Sequence, residues 1–182
     1  ARSEDGGKTW AIRHSGIDPR HLPGPRDRVE ITLDPRDESS IWLVTKGNVY
    51  RSEDGGETWQ NRSTQALASW SWDKTRSEMR IRGVAVDPSK GLHALAGTRT
   101  EGAGRGGLFE TMDGGKTREQ IAGNDVDKSE LGCDAWPILL DPRTDKNVAV
   151  GGATGYWFSD DRGRRFKRAD PGDLGWHEIR AI

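Results

Sequence analysis

The sequence predicts an all-β fold built from repeated four-stranded antiparallel sheets, and three observations carry that prediction. The first is an eight-residue phrase. Ser3-Glu4-Asp5-Gly6-Gly7-Lys8-Thr9-Trp10 returns as Ser52-Glu53-Asp54-Gly55-Gly56-Glu57-Thr58-Trp59, as Thr111-Met112-Asp113-Gly114-Gly115-Lys116-Thr117-Arg118, and as Ser159-Asp160-Asp161-Arg162-Gly163-Arg164-Arg165-Phe166. The second is its spacing: Asp5, Asp54, Asp113 and Asp161 fall 49, 59 and 48 residues apart. The third is an independent marker with a similar period, an apolar residue followed by Asp-Pro. It stands at Leu33-Asp34-Pro35, Val86-Asp87-Pro88 and Leu140-Asp141-Pro142, in steps of 53 and 54.

A repeat of this kind is one structural unit that cannot bury its apolar face alone. A period of roughly 40–50 residues with strand-like content is that of a blade, a four-stranded sheet set radially around the channel of a β-propeller. One repeat shows the order of its strands. Val29-Glu30-Ile31-Thr32-Leu33 alternates apolar and polar and stops at Asp34-Pro35, because proline cannot donate to a ladder. This is strand A. Ile41-Trp42-Leu43-Val44 is wholly apolar, as a strand buried on both faces requires, and is strand B. Val49-Tyr50-Arg51-Ser52 enters the repeated phrase as strand C, and Thr58-Trp59-Gln60-Asn61 leaves it as strand D.

The phrase is therefore a C–D hairpin turn, and its residue types have structural reasons. The aspartate accepts hydrogen bonds from its own turn, the glycines supply positive φ, and the exiting aromatic covers the blade edge. On this reading Ser3, Asp5, Gly7 and Trp10 are structural. So are Ser52, Asp54, Gly56 and Trp59, then Thr111, Asp113 and Gly115, and finally Ser159, Asp161, Gly163 and Phe166. The parse gives a partial blade over 1–13, blades over 29–63, 81–122 and 135–169, and the first strand of a next blade over 176–182. Closed rings need about four to eight blades. The expectation is a portion of a propeller completed by the remaining blades of a longer chain or by a partner subunit.

Composition fits this architecture. Hydrophobic content of 32% is low, whereas 24 glycines and 8 tryptophans suit short strands, tight turns and aromatic packing between blades. A net charge of −1 argues against a nucleic-acid partner, and no apolar run is long enough for membrane insertion. Cys133, the single cysteine, excludes a disulfide framework and a thiolate metal cluster. No metal or cofactor site is expected. The composition also suits an extracytoplasmic protein.

Sites concentrate on loops held by a rigid frame. The long D–A connections, over about 11–28, 61–80, 119–134 and 167–176, with the B–C loop from Thr98 to Gly107, are where a ligand is expected. In the loop 61–80, Trp70 and Trp72 offer indole platforms for a sugar face, and Asp73, Arg76, Glu78 and Arg80 offer groups to fix hydroxyls or acidic substituents. Asp73 and Glu78 also have the form of an acid/base pair. Arg99, Arg105 and Trp136 lie on or near the same loops and complete the candidate ligand-binding set. Arg26, Arg28 and Arg82 are further arginines on or near this end.

The shared pattern, Ser/Thr-x-Asp-x-Gly-x-Thr-aromatic, resembles the Asp-box, or bacterial neuraminidase repeat, of sialidase-like β-propellers, and the repeat style also resembles xyloglucanase-type and sortilin-type relatives and photosystem assembly factors. The resemblance implies that the boxes lie on the face away from the active sites. It does not carry sialidase chemistry to this chain. Arg80-Ile81-Arg82 lacks the proline of the sialidase Arg-Ile-Pro phrase, and Tyr50 and Tyr156, the only tyrosines, sit in strand C beside a box. The function expected is non-catalytic recognition of a glycan or protein partner. A glycoside hydrolase and a structural subunit of a larger assembly are the alternatives.

Overall fold

The computed structural model describes residues 1–63, 79–100, 106–123, 131, 134–144, 146–152 and 155–169, with the backbone alone at Met79, Arg99 and Thr100. Among the described residues, twelve strands form three four-stranded antiparallel sheets. The first contains β1 (Val29–Asp34), β2 (Asp37–Thr45), β3 (Asn48–Ser52) and β4 (Gln60–Asn61) in that order. The second contains β5 (Met79–Val86), β6 (Ala94–Thr100), β7 (Leu108–Thr111) and β8 (Glu119–Ala122). The third contains β9 (Ile138–Leu140), β10 (Val148–Gly152), β11 (Gly155–Ser159) and β12 (Lys167–Arg168). Each is a meander, the all-β blade that the repeat predicts. Ahead of them, residues 1–13 make a small hairpin bridged at Arg2 and Ala11. The expected strand over 176–182 lies outside the described residues.

Two strand ends differ from the sequence reading. Residues 79–80 were expected within a D–A loop, yet Met79 and Arg80 pair with Thr100 and Arg99, and Glu119–Ala122, given both to the blade 81–122 and to the loop of about 119–134, forms β8. The strand-B partner of the second blade is longer than its apolar run, so the ladder continues past the hydrophobic segment.

Inter-blade burial holds the sheets together. Trp42, Val44 and Val49 of the first blade pack on Ile81, Val84, Val86 and Ala94 of the second. Leu95, Leu108, Ile121 and Ala122 of the second pack on Ile138, Val148, Val150 and Trp157 of the third. Each large side chain fully removed from water contributes about 1.5–3 kcal/mol. The inner strands also touch directly, where Thr32 Oγ1 donates to Val84 O at 2.8 Å.

All four boxes share one hydrogen-bond ring. The first hydroxyl donates to the aspartate Oδ1 at 2.8, 2.7, 3.0 and 2.8 Å for Ser3, Ser52, Thr111 and Ser159. It accepts the amide of Gly7, Gly56, Gly115 and Gly163 at 2.7–2.8 Å. The aspartate Oδ1 then accepts the amide of Thr9, Thr58, Thr117 and Arg165 at 2.8–2.9 Å. In the first three boxes the threonine hydroxyl bonds the other carboxylate oxygen. This geometry needs φ of +89, +91, +85 and +80 at Gly7, Gly56, Gly115 and Gly163, which glycine adopts without a Cβ clash. The Asp-Pro marker is a second local device: Asp34, Asp87 and Asp141 each accept the amide two residues on, at 3.0, 2.7 and 3.0 Å.

The boxes are also tied to their surroundings. Gly55, Gly114 and Arg162, each following the box aspartate, donate to Ser39, Leu92 and Lys146 near the A–B turn of the same blade at 2.8–2.9 Å. The residue before each of the first three boxes reaches the next box. Arg2 Nη1 donates to Gly55 O at 2.7 Å, the Arg51 guanidinium lies against Gly114, and Glu110 Oε2 accepts from Arg164 Nη2 at 2.9 Å.

The box aromatic behaves according to its neighbours. Trp59 is buried with Leu43 and Tyr50, and its indole N–H donates to Arg13 O at 3.2 Å. Trp10 was expected to cover a blade edge but is 65% exposed, because no described strand lies against it. Arg118 replaces the aromatic in the third box, and its Nη1 donates to Arg62 O at 2.7 Å. Burial lowers its pKa, and a cavity of about 30 Å³ lies beside it, lined by Trp42, Phe109 and Arg118.

Ser52→Ala deprives the Gly56 amide of its acceptor inside a buried turn and is expected to cost about 1–3 kcal/mol in denaturant unfolding. Trp59→Ala is expected to cost about 3–5 kcal/mol in the same experiment, by emptying a filled contact. Asp5, Asp54 and Asp113 are held at about 2, first by the threonine hydroxyl, against an ordinary value of 3.8. Their folded-state pKa is depressed, so their contribution is present above pH 3.8 and lost as pH falls toward 2. Melting temperature is expected to drop across that window, with a shallower drop in Asp54→Asn.

Candidate functional site

The end of the blades away from the boxes is shaped by two connections. The hairpin between β2 and β3 turns through Lys46 and Gly47, both with positive φ (+47 and +78), the backbone of a tight two-residue hairpin. The segment before β1 is pinned beside it. Asp18 caps a short 3-10 turn over Pro19–His21 and holds the Arg20 guanidinium at 2.6 and 3.0 Å, which keeps the Asp18 carboxyl far below the usual range. His21 Nδ1 meets the buried Tyr50 hydroxyl at 2.6 Å, Thr45 Oγ1 donates to His21 O at 2.8 Å, and Lys46 Nζ lies 3.6 Å from Asp27. Burial raises the Tyr50 hydroxyl above its ordinary value.

These contacts deliver Arg28 and Glu30 to the inner face of the first blade. Arg28 lies over the Trp136 ring, 5.8 Å from its centroid, and 4.0 Å from the Glu30 carboxylate. Trp136 and Glu30 both pack onto Gly83 of β5, where a Cβ would overlap the indole ring and the carboxylate. Gly83 is thus the notch that admits a tryptophan from the third repeat and a glutamate from the first. Burial pushes Glu30 up to about 7, against the opposing effects of Arg28 and the Val84 amide. Among the described carboxylates with a resolved shift it is the one raised. Near neutral pH this group offers either a proton or a lone pair, beside a cation and an aromatic face.

Of the residues singled out from sequence, Arg28 and Trp136 enter this cluster. Arg80 is exposed and packs over Gly47, whose carbonyl accepts the Ile81 amide at 3.3 Å. The backbone of Arg99 pairs with Arg80 across β5 and β6. Trp70, Trp72, Asp73, Arg76, Glu78 and Arg105 lie outside the described residues. Glu30 was missed because it reads as the polar position of an alternating strand. The available signal was radial packing, which gives an innermost strand a neighbour on each face, so its polar positions are partly buried too.

Comparison with known proteins agrees with the geometry. The BNR/Asp-box repeat family profile matches residues 50–61. No curated protein sequence matches the chain. An ancestral GH74 enzyme is similar in structure at 17% identity with a TM-score of 0.59, over 80% of this chain and 19% of its own. YCF48 from Cyanidioschyzon merolae is similar at 21% identity and TM-score 0.54, over 80% of this chain and 41% of its own. A structure of YCF48 bound to D1 peptide gives 19% identity and TM-score 0.50, over 84% and 46%. The chain thus spans about a fifth of the length of the GH74 relative and less than half that of the YCF48 structures. The chain thus carries a BNR/Asp-box repeat and three four-stranded antiparallel sheets with the fold of these β-propeller structures.

Proposed function

We propose that this protein is a non-catalytic recognition module that binds a glycan or protein partner through the loop end of its blades. The observation that carries the reading is the Arg28–Glu30–Trp136 cluster, where a cation, a titratable carboxyl and an indole from two blades meet beside a glycine notch. The group types suit an extended polar ligand: guanidinium and carboxyl for its polar atoms, the ring for an apolar face. The peptide in the YCF48 structure supports a protein partner, and the GH74 likeness supports a glycan. The loop bearing Trp70 and Trp72, with Asp73, Arg76 and Glu78, belongs to the same proposed binding end, as do Arg80, Arg99 and Arg105. An extracytoplasmic location goes with this reading.

The exposed apolar faces support further blades. Val29, Ile31 and Leu33 on one side of the three sheets and Leu139 and Phe158 on the other are 38–62% exposed. We infer that remaining blades of a longer chain, or a partner subunit, cover them. A glycoside hydrolase is the second reading, favoured by one observation, the elevated Glu30 carboxyl, which has the character of a general acid.

Calorimetric titration with xyloglucan oligosaccharides and with a peptide library separates these readings. Binding is expected to one of the two classes, with affinity reduced about tenfold or more in Arg28→Ala and Trp136→Phe while the melting temperature of the arginine variant holds. Release of reducing sugar from xyloglucan, abolished in Glu30→Gln, establishes the hydrolase instead. No binding to either class and no hydrolysis overturns the recognition reading.

A further inference from the structure

Remote from the proposed ligand-binding end, blades two and three are joined by a line of buried titratable groups. His93, 5% exposed, lies just before β6. Its Nδ1 is 2.6 Å from Asp87 Oδ2, at the end of β5, and its Nε2 is 2.9 Å from Glu110 Oε1, on β7. Both carboxylates are buried, at 1% and 6% exposed. Asp87 Oδ1 accepts the amide and the hydroxyl of Ser89, both at 2.7 Å. Glu110 Oε2 accepts from Arg164 of the fourth box at 2.9 Å.

The other charged groups on the packed elements stand further out. Glu119 is the exposed cross-strand neighbour of Glu110 on β8, and Lys90 is exposed in the Asp-Pro turn. Arg36 holds Ser89 O, and Asp34 sits against Gly91.

Proton counting decides the state of this line. A neutral imidazole has one N–H and one lone pair, so with both nitrogens against carboxylates it would aim the lone pair at a buried oxygen. Burial alone would raise the Asp87 carboxyl, but its bonds to His93 and Ser89 outweigh burial and hold it below the usual range. Glu110 Oε2 accepts from the Arg164 guanidinium, so that oxygen is an acceptor and Oε1 is the atom turned to the ring. The ring is left to carry the proton.

We propose that Asp87, His93 and Glu110 form a binding site for one proton, held as the His93 imidazolium, which clasps the Asp-Pro turn of the second blade to β7 and, through Arg164, to the box of the third. Losing that proton leaves one buried carboxylate oxygen, Asp87 Oδ2 or Glu110 Oε1, facing a ring lone pair. Deprotonation of the ring therefore opens the clasp on one side.

Nitrogen-15 spectroscopy of the histidine side chains in the intact protein tests this directly, with the exposed His14 as internal reference. At pH 7.5, His93 is expected to show two slowly exchanging ring N–H protons and imidazolium nitrogen shifts. In Glu110→Gln that signature is expected to disappear at a lower pH than in the wild type. A single N–H with the pattern of a neutral ring at pH 7.5 overturns the proposal without any variant. A pH dependence unchanged by Glu110→Gln overturns the role given to Glu110.

Discussion

The rest of the fold depends on the closed hydrogen-bond ring of the Asp-box. A hairpin turn leaves several amides pointing inward with no strand partner, and unpaired buried amides are costly. The box solves this with its own side chains: one hydroxyl and one carboxylate satisfy the turn, and two glycines permit the curvature. A turn made rigid in this way presents fixed anchor points. The A–B region of its own blade accepts the amide after the aspartate, and the preceding blade reaches the box from one residue before its own. The boxes thus work as joints between blades as well as turns within them, and rigidity at this end leaves the other end available for variable loops.

The third and fourth repeats show how much wear the ring tolerates. Arg165 stands where the others have threonine, so the carboxylate of Asp161 loses the hydroxyl bond but keeps both backbone amides. Arg162 takes the place of a glycine at φ +66 and still donates to Lys146 O. Arg118 loses the aromatic plug and instead spans to the first blade through Arg62 O. What survives in every copy is the first hydroxyl, the aspartate and the second glycine, the three groups without which the ring cannot close.

Legibility in the sequence followed the range of the physics. The boxes, the Asp-Pro stops and the strand order were readable because each is set by neighbours within a few residues: Ser52 with Asp54, Asp87 with Ser89, Trp42 within an apolar run. Glu30 was not readable, since its burial comes from Gly83 and Trp136, residues of two other repeats. The same holds for Arg2, Arg51 and Glu110, whose partners lie on the next blade, and for His93, which meets Glu110 only because β6 and β7 pair. Trp10 and Trp59 occupy the same place in the phrase, and one is exposed and the other buried. Local sequence sets the turn, whereas the neighbouring blade sets what the side chain does.

Amide hydrogen exchange at the boxes tests the account most directly, because the ring claims that these surface turns are locked by their own side chains. The amides of Gly56, Thr58, Gly115 and Thr117 lie in turns whose threonines face solvent. They are expected to exchange as slowly as the amides of β2 and β6, with protection lost together across one box in Ser52→Ala. Exchange at the rate of open loops in the wild-type protein would contradict the account, since the turns would then be held by the sheets and the boxes could not serve as the joints between blades.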